Sequence, residues 1–210
     1  ALEVQHITPI DYSSIPKAEV KDYYIMSSAQ MRMYILSKME AGSIQYNLPA
    51  LFELGKNVDP KRVENVFRLL IDRHESFRSS FHLLDTTPVQ QIHSQVPFSM
   101  NYEVVENQNE LQHKIHQFVR VFDLTIPPLF RACVFNMKDG RRYLIIDMHH
   151  IISDGTSMEI FRKEFLTLYR NDFSIEALPS LPVQYKDYAQ WQVSNSEKVR
   201  AEQQKRYWMK

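Results

Sequence analysis

The feature that most restricts the fold is a pair of apolar runs, "LFRACVFNM" and "RRYLIIDMHH", separated by the turn residues "KDG". An Asp-Gly pair between two runs rich in β-branched and aromatic residues is a strong signal for a β-hairpin. The second run ends at His149 and His150, directly before a turn. The sequence therefore predicts two antiparallel strands that deliver adjacent histidines to one end of a sheet.

Helical and strand patterns alternate along the rest of the chain. A helix is expected after a cap at Ser27 or Ser28, because strong helix formers follow. Further helices are predicted over 59–74, 110–121 and 156–170, and from about Ser196 onward. Strands are predicted at "YNLPALFEL", at a hairpin of "SFRSSFHLL" with "TPVQQIHS", and at "MNYEVVE". This order predicts an α/β (α+β) sandwich, a mixed sheet with flanking helices.

Charge and cysteine content exclude several function classes. Lys+Arg and Asp+Glu are equal at 25 each, so nothing favours nucleic acid or an anionic membrane as a partner. The one cysteine, Cys133, excludes an internal disulfide and a cysteine-rich zinc site, and its apolar run predicts burial. No leader and no membrane-length apolar run is visible, so a cytoplasmic location is expected.

The segment "MHHIISDGTS" concentrates the polar groups that could do chemistry. Because side chains alternate along a strand, His149 and His150 should point to opposite faces and are poorly placed to bind one metal together. One histidine is expected on the packed side and the other in a cleft, where imidazole could transfer protons near neutral pH. By themselves these residues also fit a histidine pair with a purely structural role.

The turn after the histidines is predicted to aim the next helix at the same space. Gly155 is expected to permit a sharp reversal, and Thr156-x-x-Glu159 matches a capping box. Asp154 could accept backbone N–H bonds, orient a histidine or pair with an arginine. Ser153 and Ser157 lack a Gly-x-Ser-x-Gly elbow, so turn or capping roles are expected for them.

"HHIISDG" fits the H-H-x-x-x-D-G signature of acyltransferases related to chloramphenicol acetyltransferase. More closely, the chain resembles the condensation domains of nonribosomal peptide synthetases, because four segments match that family's motifs in order. These segments are "SSAQMRMYIL" (Ser27–Leu36), "RHESFRSSF" (Arg73–Phe81), "MHHIISDGTS" (Met148–Ser157) and "YKDYAQW" (Tyr185–Trp191).

The resemblance implies the N-terminal half of a two-lobed domain, in which each lobe has a chloramphenicol-acetyltransferase-like fold. It divides the chain into a lead-in segment at 1–20, an N-terminal lobe at 21–178, and a proline-bounded segment and helix at 179–210. That last segment would lead to a C-terminal lobe missing from the chain. Since the family's reaction centre lies in a tunnel between the lobes, the chain alone is expected to be inactive.

The resemblance also implies the reaction. A donor acyl or peptidyl thioester on the phosphopantetheine arm of one peptidyl carrier protein would be joined to an acceptor aminoacyl thioester on another, forming an amide. No cofactor or metal would be bound directly, and an adenylation domain would be adjacent. The "ISDG" sequence resembles that of the subtype that joins two L-configured units, although Thr156 stands where Trp or Val is common.

Site residues carry over from the motifs. His150 matches the family's catalytic histidine, which could act as a general base or could position and stabilise charge. Asp154 matches an aspartate thought to pair with an arginine of the chain or of the missing lobe. Gly155 would keep the tunnel wall close to the thioester arm. The residues expected to support the site are His149, Asp154, Gly155, Arg32, Arg73 and Arg78.

Three other functions remain open at this point. The chain could be a carrier-protein interaction lobe without chemistry of its own, or an acyltransferase that uses a free coenzyme A thioester. A metalloenzyme ranks last, because the two histidines are predicted to face apart.

Overall fold

A computed structural model describes residues 15–40, 42–194 and 209 of the chain. Its strands are β1 (Tyr24–Ile25), β2 (Ala50–Leu54), β3 (Ser79–Leu84), β4 (Thr87–Ile92), β5 (Asn101–Val105), β6 (Phe130–Met137) and β7 (Arg142–Met148). Its helices are α1 (Ser28–Met39), α2 (Pro60–Arg73), α3 (Gln108–Phe118), α4 (Gly155–Arg170) and α5 (Tyr185–Gln192). The helix predicted from Ser196 lies outside the described residues.

The strands form two sheets. The larger sheet has the order β2-β7-β6-β5, with β5 parallel to β6 and the other pairs antiparallel. The smaller sheet, β1-β4-β3, is antiparallel and contains the predicted hairpin of β3 and β4. The hairpin around Gly140 is confirmed as β6 and β7, and β2 lies at a sheet edge, as Pro49 indicated. The predicted mixed sheet with flanking helices is therefore confirmed.

The main core fills the space between the larger sheet and the helices α2 and α4. Phe67 of α2 is buried against Phe130 of β6, with ring centroids 5.3 Å apart, and against Phe161 of α4 at 5.8 Å. On the opposite face of the sheet, α3 covers the buried Cys133 and Ile145. Because alternate residues of β7 face these two cores, the strand is held on both sides and its last residues have a fixed direction.

Three sequence-based predictions of helix boundaries and type were wrong. The helix α3 begins before Glu110 because the Asn107 side chain accepts a hydrogen bond from the Glu110 backbone N–H, and it ends at Phe118 rather than Val121. The Thr156-x-x-Glu159 capping box does not form, since Asp154 caps α4 instead. The segment after the prolines forms a further helix, α5, that the pattern did not predict.

Candidate active site

The end of β7 is held by a backbone ladder with residues 46–48. Leu48 N–H donates to the Met148 carbonyl oxygen at 2.8 Å, and His150 N–H donates to the Tyr46 carbonyl oxygen at 2.7 Å. Between these two bonds, Asn47 pairs with His149 in an antiparallel bridge. Both histidines therefore leave the strand from a backbone whose direction is fixed by hydrogen bonds.

His150 presents a reactive nitrogen to solvent. Its side chain is exposed, and Nδ1 lies 2.7 Å from the carbonyl oxygen of Ser153. Because a carbonyl oxygen can only accept, Nδ1 carries the proton of the neutral ring. Nε2 then holds the free lone pair, and no described residue forms a hydrogen bond with it. This arrangement lets Nε2 accept a proton from a bound molecule.

His149 points to the packed side and stays neutral. Its side chain lies between the rings of Tyr46 and Phe122, and only 5% of the residue is exposed. Ile151 N–H donates to Nδ1 at 3.0 Å, so the ring proton is on Nε2, 3.5 Å from Ser37 Oγ. Burial, and to a smaller extent the neighbouring His150, lowers the pKa of His149 to about 4. The expectation that the two rings face opposite sides is confirmed.

Asp154 caps α4 as a carboxylate. Its Oδ1 accepts from Ser157 Oγ at 2.7 Å and from Ser157 N–H at 2.8 Å. The hydroxyl bond, followed by the backbone bond, lowers the pKa of Asp154. In the described part of the chain Asp154 forms no salt bridge, so no pairing with Arg32, Arg73 or Arg78 is present. An arginine beyond the chain stays a prediction.

The three arginines occupy other positions. Arg73 Nε lies 3.2 Å from the buried Glu164 carboxylate of α4, and its guanidinium also donates to the Pro179 carbonyl oxygen. Arg78 donates to backbone carbonyls at the end of α2, including Ile71 at 3.1 Å, and to the carbonyls of His93 and Ser94 after β4. Arg32 is exposed on α1. Arg73 and Arg78 therefore join α2 to its neighbours. Their N–H groups donate to acceptors other than Asp154.

Gly155 begins α4 beside open space. It has no positive φ, so the turn at this residue does not use a backbone conformation that only glycine adopts readily. A Cβ built there would meet nothing within 4 Å among the described atoms. Gly155 lies on the lining of an apolar groove of about 590 Å³ between β2, α2 and α4. A ligand could therefore approach this helix start closely.

The first, second and fourth motifs meet through α5. Tyr185 Oη lies 2.9 Å from Ser27 Oγ, and Gln192 Oε1 accepts from Ser28 N–H at 2.8 Å. The Gln184 side chain, which precedes α5, donates to the Arg73 carbonyl oxygen at 3.0 Å. The fourth motif and the residues beside it therefore pack two distant motifs together.

Two other candidate nucleophiles, Cys133 and Ser157, are not available for chemistry. Burial raises the pKa of the Cys133 thiol to about 12, so it is not a thiolate at neutral pH. Ser157 Oγ is engaged by Asp154. Over residues 15–40, 42–194 and 209, no group of three or more His, Cys, Asp or Glu side chains is placed to hold a metal ion. No helix within those same ranges is long and apolar enough to cross a bilayer.

Sequence reasoning missed a buried polar cluster next to the histidines. Asp147 on β7 is fully buried and contacts Arg131 of β6 and the side chain of Asn47. The only local signal was a charged residue, Asp147, within the apolar run "YLIIDM". Its partners could be assigned only once the strand pairing was known, because Asn47 is 100 residues away.

Comparison with known proteins identifies the family of the chain. The family described as "Condensation domain" matches residues 20–210. Bacitracin synthase 3 of Bacillus licheniformis is 42% identical over 198 residues, which are 94% of this chain and 3% of that protein. Gramicidin S synthase 2 of Brevibacillus brevis is 39% identical over 94% of this chain and 4% of its own length. The chain thus spans a small part of these relatives.

Solved structures share the fold at low identity. The X-domain from teicoplanin biosynthesis superposes with a TM-score of 0.74 at 22% identity, over 85% of this chain and 40% of that one. The starter condensation domain of rhizomide synthetase gives a TM-score of 0.73 at 19% identity, over 90% of this chain and 47% of that one. These likenesses show the fold, and the family match over residues 20–210 establishes the assignment. The chain belongs to the condensation domain family.

Proposed function

We propose that the chain is the N-terminal lobe of a condensation domain that forms an amide between two carrier-bound thioesters. The observation that carries the proposal is the geometry of His150, whose Nε2 lone pair is free while Nδ1 is fixed on the Ser153 carbonyl. A neutral imidazole oriented in this way suits proton transfer from an attacking amine.

The proposed reaction balances without a covalent enzyme intermediate. The amine nitrogen of the acceptor aminoacyl thioester attacks the donor carbonyl carbon, a C–N bond forms, and the donor C–S bond breaks. His150 Nε2 takes a proton from the amine, and the departing thiolate receives a proton to leave as a thiol. The Nδ1–H bond to Ser153 keeps the ring oriented and stabilises the positive charge that the ring gains.

Partners follow from this reaction. The donor and acceptor would arrive on phosphopantetheine arms of two peptidyl carrier proteins, with an adenylation domain adjacent. The open space beside Gly155 supports close approach of such an arm. This chain covers 40% to 48% of several solved domains of this fold, which supports a C-terminal lobe as a further partner and an inactive isolated chain. We also infer the L-to-L subtype from "ISDG".

The proposed division of the chain remains 1–20, 21–178 and 179–210. The contacts of α5 bear on it, because Ala18 N–H donates to Asp187 Oδ1 at 2.9 Å. The two segments that flank the proposed lobe are therefore joined to each other by a hydrogen bond.

The test uses His150→Ala in the intact synthetase module with both carriers loaded. We expect loss of the dipeptidyl thioester in mass spectra, whereas His113→Ala, at an exposed histidine of α3, should leave the product unchanged. Full product with His150→Ala would contradict the role given to His150. Product from wild-type protein only with free acyl-coenzyme A would favour the coenzyme A acyltransferase. Product from neither donor would favour a non-catalytic interaction lobe.

A further inference from the structure

A cluster of three polar side chains lies next to the two histidines, of which Asn47 and Asp147 are buried and Arg131 is 13% exposed. Asp147 has no exposed surface, and its Oδ2 accepts from Asn47 Nδ2 at 2.7 Å and from Arg131 Nε at 3.1 Å. Arg131 and Asp147 stand directly opposite each other on β6 and β7. We call Asn47, Arg131 and Asp147 the buried triad.

The buried triad joins two loop segments to the sheet. Asn47 Nδ2 donates to the Arg120 carbonyl oxygen at 2.9 Å, and the Arg131 guanidinium donates to the same oxygen. The guanidinium carbon of Arg131 also lies 3.7 Å from the ring centroid of Phe122. The segment at 120–122 and the segment at 46–48 are thereby fixed to one carboxylate.

Both segments bound the histidines. Residues 46–48 form the backbone ladder with 148–150, which includes the 2.7 Å bond from His150 N–H to the Tyr46 carbonyl. Phe122 packs edge-on against the His149 ring, with centroids 6.1 Å apart. A shift of either segment would therefore move the backbone from which His150 projects.

The buried triad is poorly explained as a source of stability. Burial raises the pKa of Asp147 and lowers the pKa of Arg131, so both groups are shifted towards their neutral forms despite their pairing. Asp147 Oδ1 has no hydrogen-bond partner among the described residues. Buried ion pairs of this kind can often be replaced by apolar residues without loss of stability, while in some proteins they specify a unique arrangement.

We propose that Asn47, Arg131 and Asp147 are positioning residues that hold the strand end bearing His150 in its reactive geometry. They touch neither His150 nor any reacting atom, and they act through residues 46–48 and Phe122. The kinetic part of this inference rests on the proposed amide-forming function, whereas the structural part does not.

The first test is kinetic and uses the intact module with both carriers loaded. The variants are Asn47→Leu and the double replacement Asp147→Leu/Arg131→Met, which keeps volume and leaves no buried charge unpaired. We expect the single-turnover rate to fall roughly 10- to 100-fold, with the KM for each carrier unchanged, because a displacement of about 1 Å can cost that much. The replacement of Glu103 and Lys114 by Leu and Met, in an ion pair between β5 and α3, should leave the rate unchanged.

The second test is hydrogen exchange of the same variants and does not depend on activity. We expect about 10-fold faster exchange in peptides covering 46–48 and 148–153, with α2 unchanged and the melting temperature preserved. The proposal would be overturned if the variants exchanged at the wild-type rate in these peptides, or if they exchanged faster throughout the protein. An unchanged single-turnover rate in an active module would also overturn it. If wild-type protein forms no amide, the proposed function fails, and hydrogen exchange alone decides whether the buried triad holds the strand end.

Discussion

His150 Nδ1 lies 2.7 Å from the carbonyl oxygen of Ser153, three residues further along the chain. This bond determines which ring nitrogen is protonated, and so it determines which nitrogen can receive a proton. The turn after the strand therefore has a chemical function in addition to reversing the chain. It converts an exposed histidine into a ring with one defined tautomer.

Replacing His150 by Asn or by Gln distinguishes the roles of the two ring nitrogens. The Asn amide can keep a donor near the position of Nδ1, and the Gln amide can place one near Nε2. We expect both variants to form amide about 100-fold more slowly or worse, because neither amide can accept the amine proton. Single-turnover assays with loaded carriers measure the rates. Near-normal activity of Gln with inactive Asn would instead show that His150 stabilises charge by donating a hydrogen bond.

Asp154→Ala should cost about 1 kcal/mol in the free energy of unfolding, because it removes the cap of α4. Asp154→Asn should retain most of the stability, and Thr156→Ala should change it by less than about 0.5 kcal/mol, since Thr156 is not the cap. Urea denaturation measures all three variants. A larger loss of unfolding free energy for Thr156→Ala than for Asp154→Ala would instead support the capping box that the sequence predicted.

The contribution of Asp154 should also depend on pH. Its pKa is lowered in the folded state, so its carboxylate stabilises the fold at pH values above the ordinary aspartate pKa near 3.8. That stabilisation is lost as the pH falls through the lowered value. The difference between wild-type and Asp154→Ala proteins should therefore be constant near neutrality and should shrink only below about pH 4. A difference that disappears by pH 6 would contradict this account.

The elements next to the site could be predicted because their signals are local. The Asp-Gly turn, Asp59 before Pro60, and the apolar run of β7 each act over a few residues, and each produced the expected element. The opposite directions of His149 and His150 followed from strand geometry alone. These features depend on backbone preferences and on periodicity, which a single sequence displays.

Other parts of the site depend on contacts between distant residues. The partner of Arg73 is Glu164, 91 residues away. Nothing in the sequence near Arg73 indicates that it pairs with Glu164 rather than with Asp154. The helix α5 was missed because prolines precede it and because Asp187, which accepts from the Gln184 N–H in its cap, is also bonded to Ala18 across 169 residues. Packing decides such pairings, and packing depends on the whole fold.

Glu164→Leu should strongly destabilise the fold. The Glu164 carboxylate lies 3.2 Å from Arg73 Nε and 2.6 Å from His74 Nε2, and the Arg73 side chain is only 10% exposed. Loss of the carboxylate leaves a buried cation unpaired, which typically costs about 3–5 kcal/mol. Urea denaturation should show this loss, and Arg73→Met combined with Glu164→Leu should recover part of it.

Glu159→Leu is the matched control on the same helix. Glu159 is paired with Arg162 at the surface, where such pairs contribute at most about 1 kcal/mol. Equal losses for the two glutamates would contradict a special role for the Arg73–Glu164 contact.

His149 should make the fold sensitive to mild acid. Its pKa falls to about 4 in the folded state, whereas an unfolded histidine titrates near 6.5. Below pH 6.5 the unfolded chain therefore binds a proton that the folded chain excludes, and the stability decreases as the pH falls towards 4. The shift corresponds to roughly 3 kcal/mol. Above pH 6.5 this contribution to the pH dependence vanishes.

The variant His149→Asn tests this dependence, because the Asn side-chain oxygen can replace Nδ1 as acceptor for the Ile151 N–H without binding a proton. We expect His149→Asn to be less stable than wild-type protein at pH 7, since it loses the ring packing against Tyr46 and Phe122. Between pH 6.5 and pH 4.5, however, its free energy of unfolding should fall less steeply, as measured by urea denaturation at each pH. His113→Asn, at an exposed histidine, should keep the wild-type slope. Equal slopes for wild-type and His149→Asn proteins would mean that His149 titrates normally in the folded state.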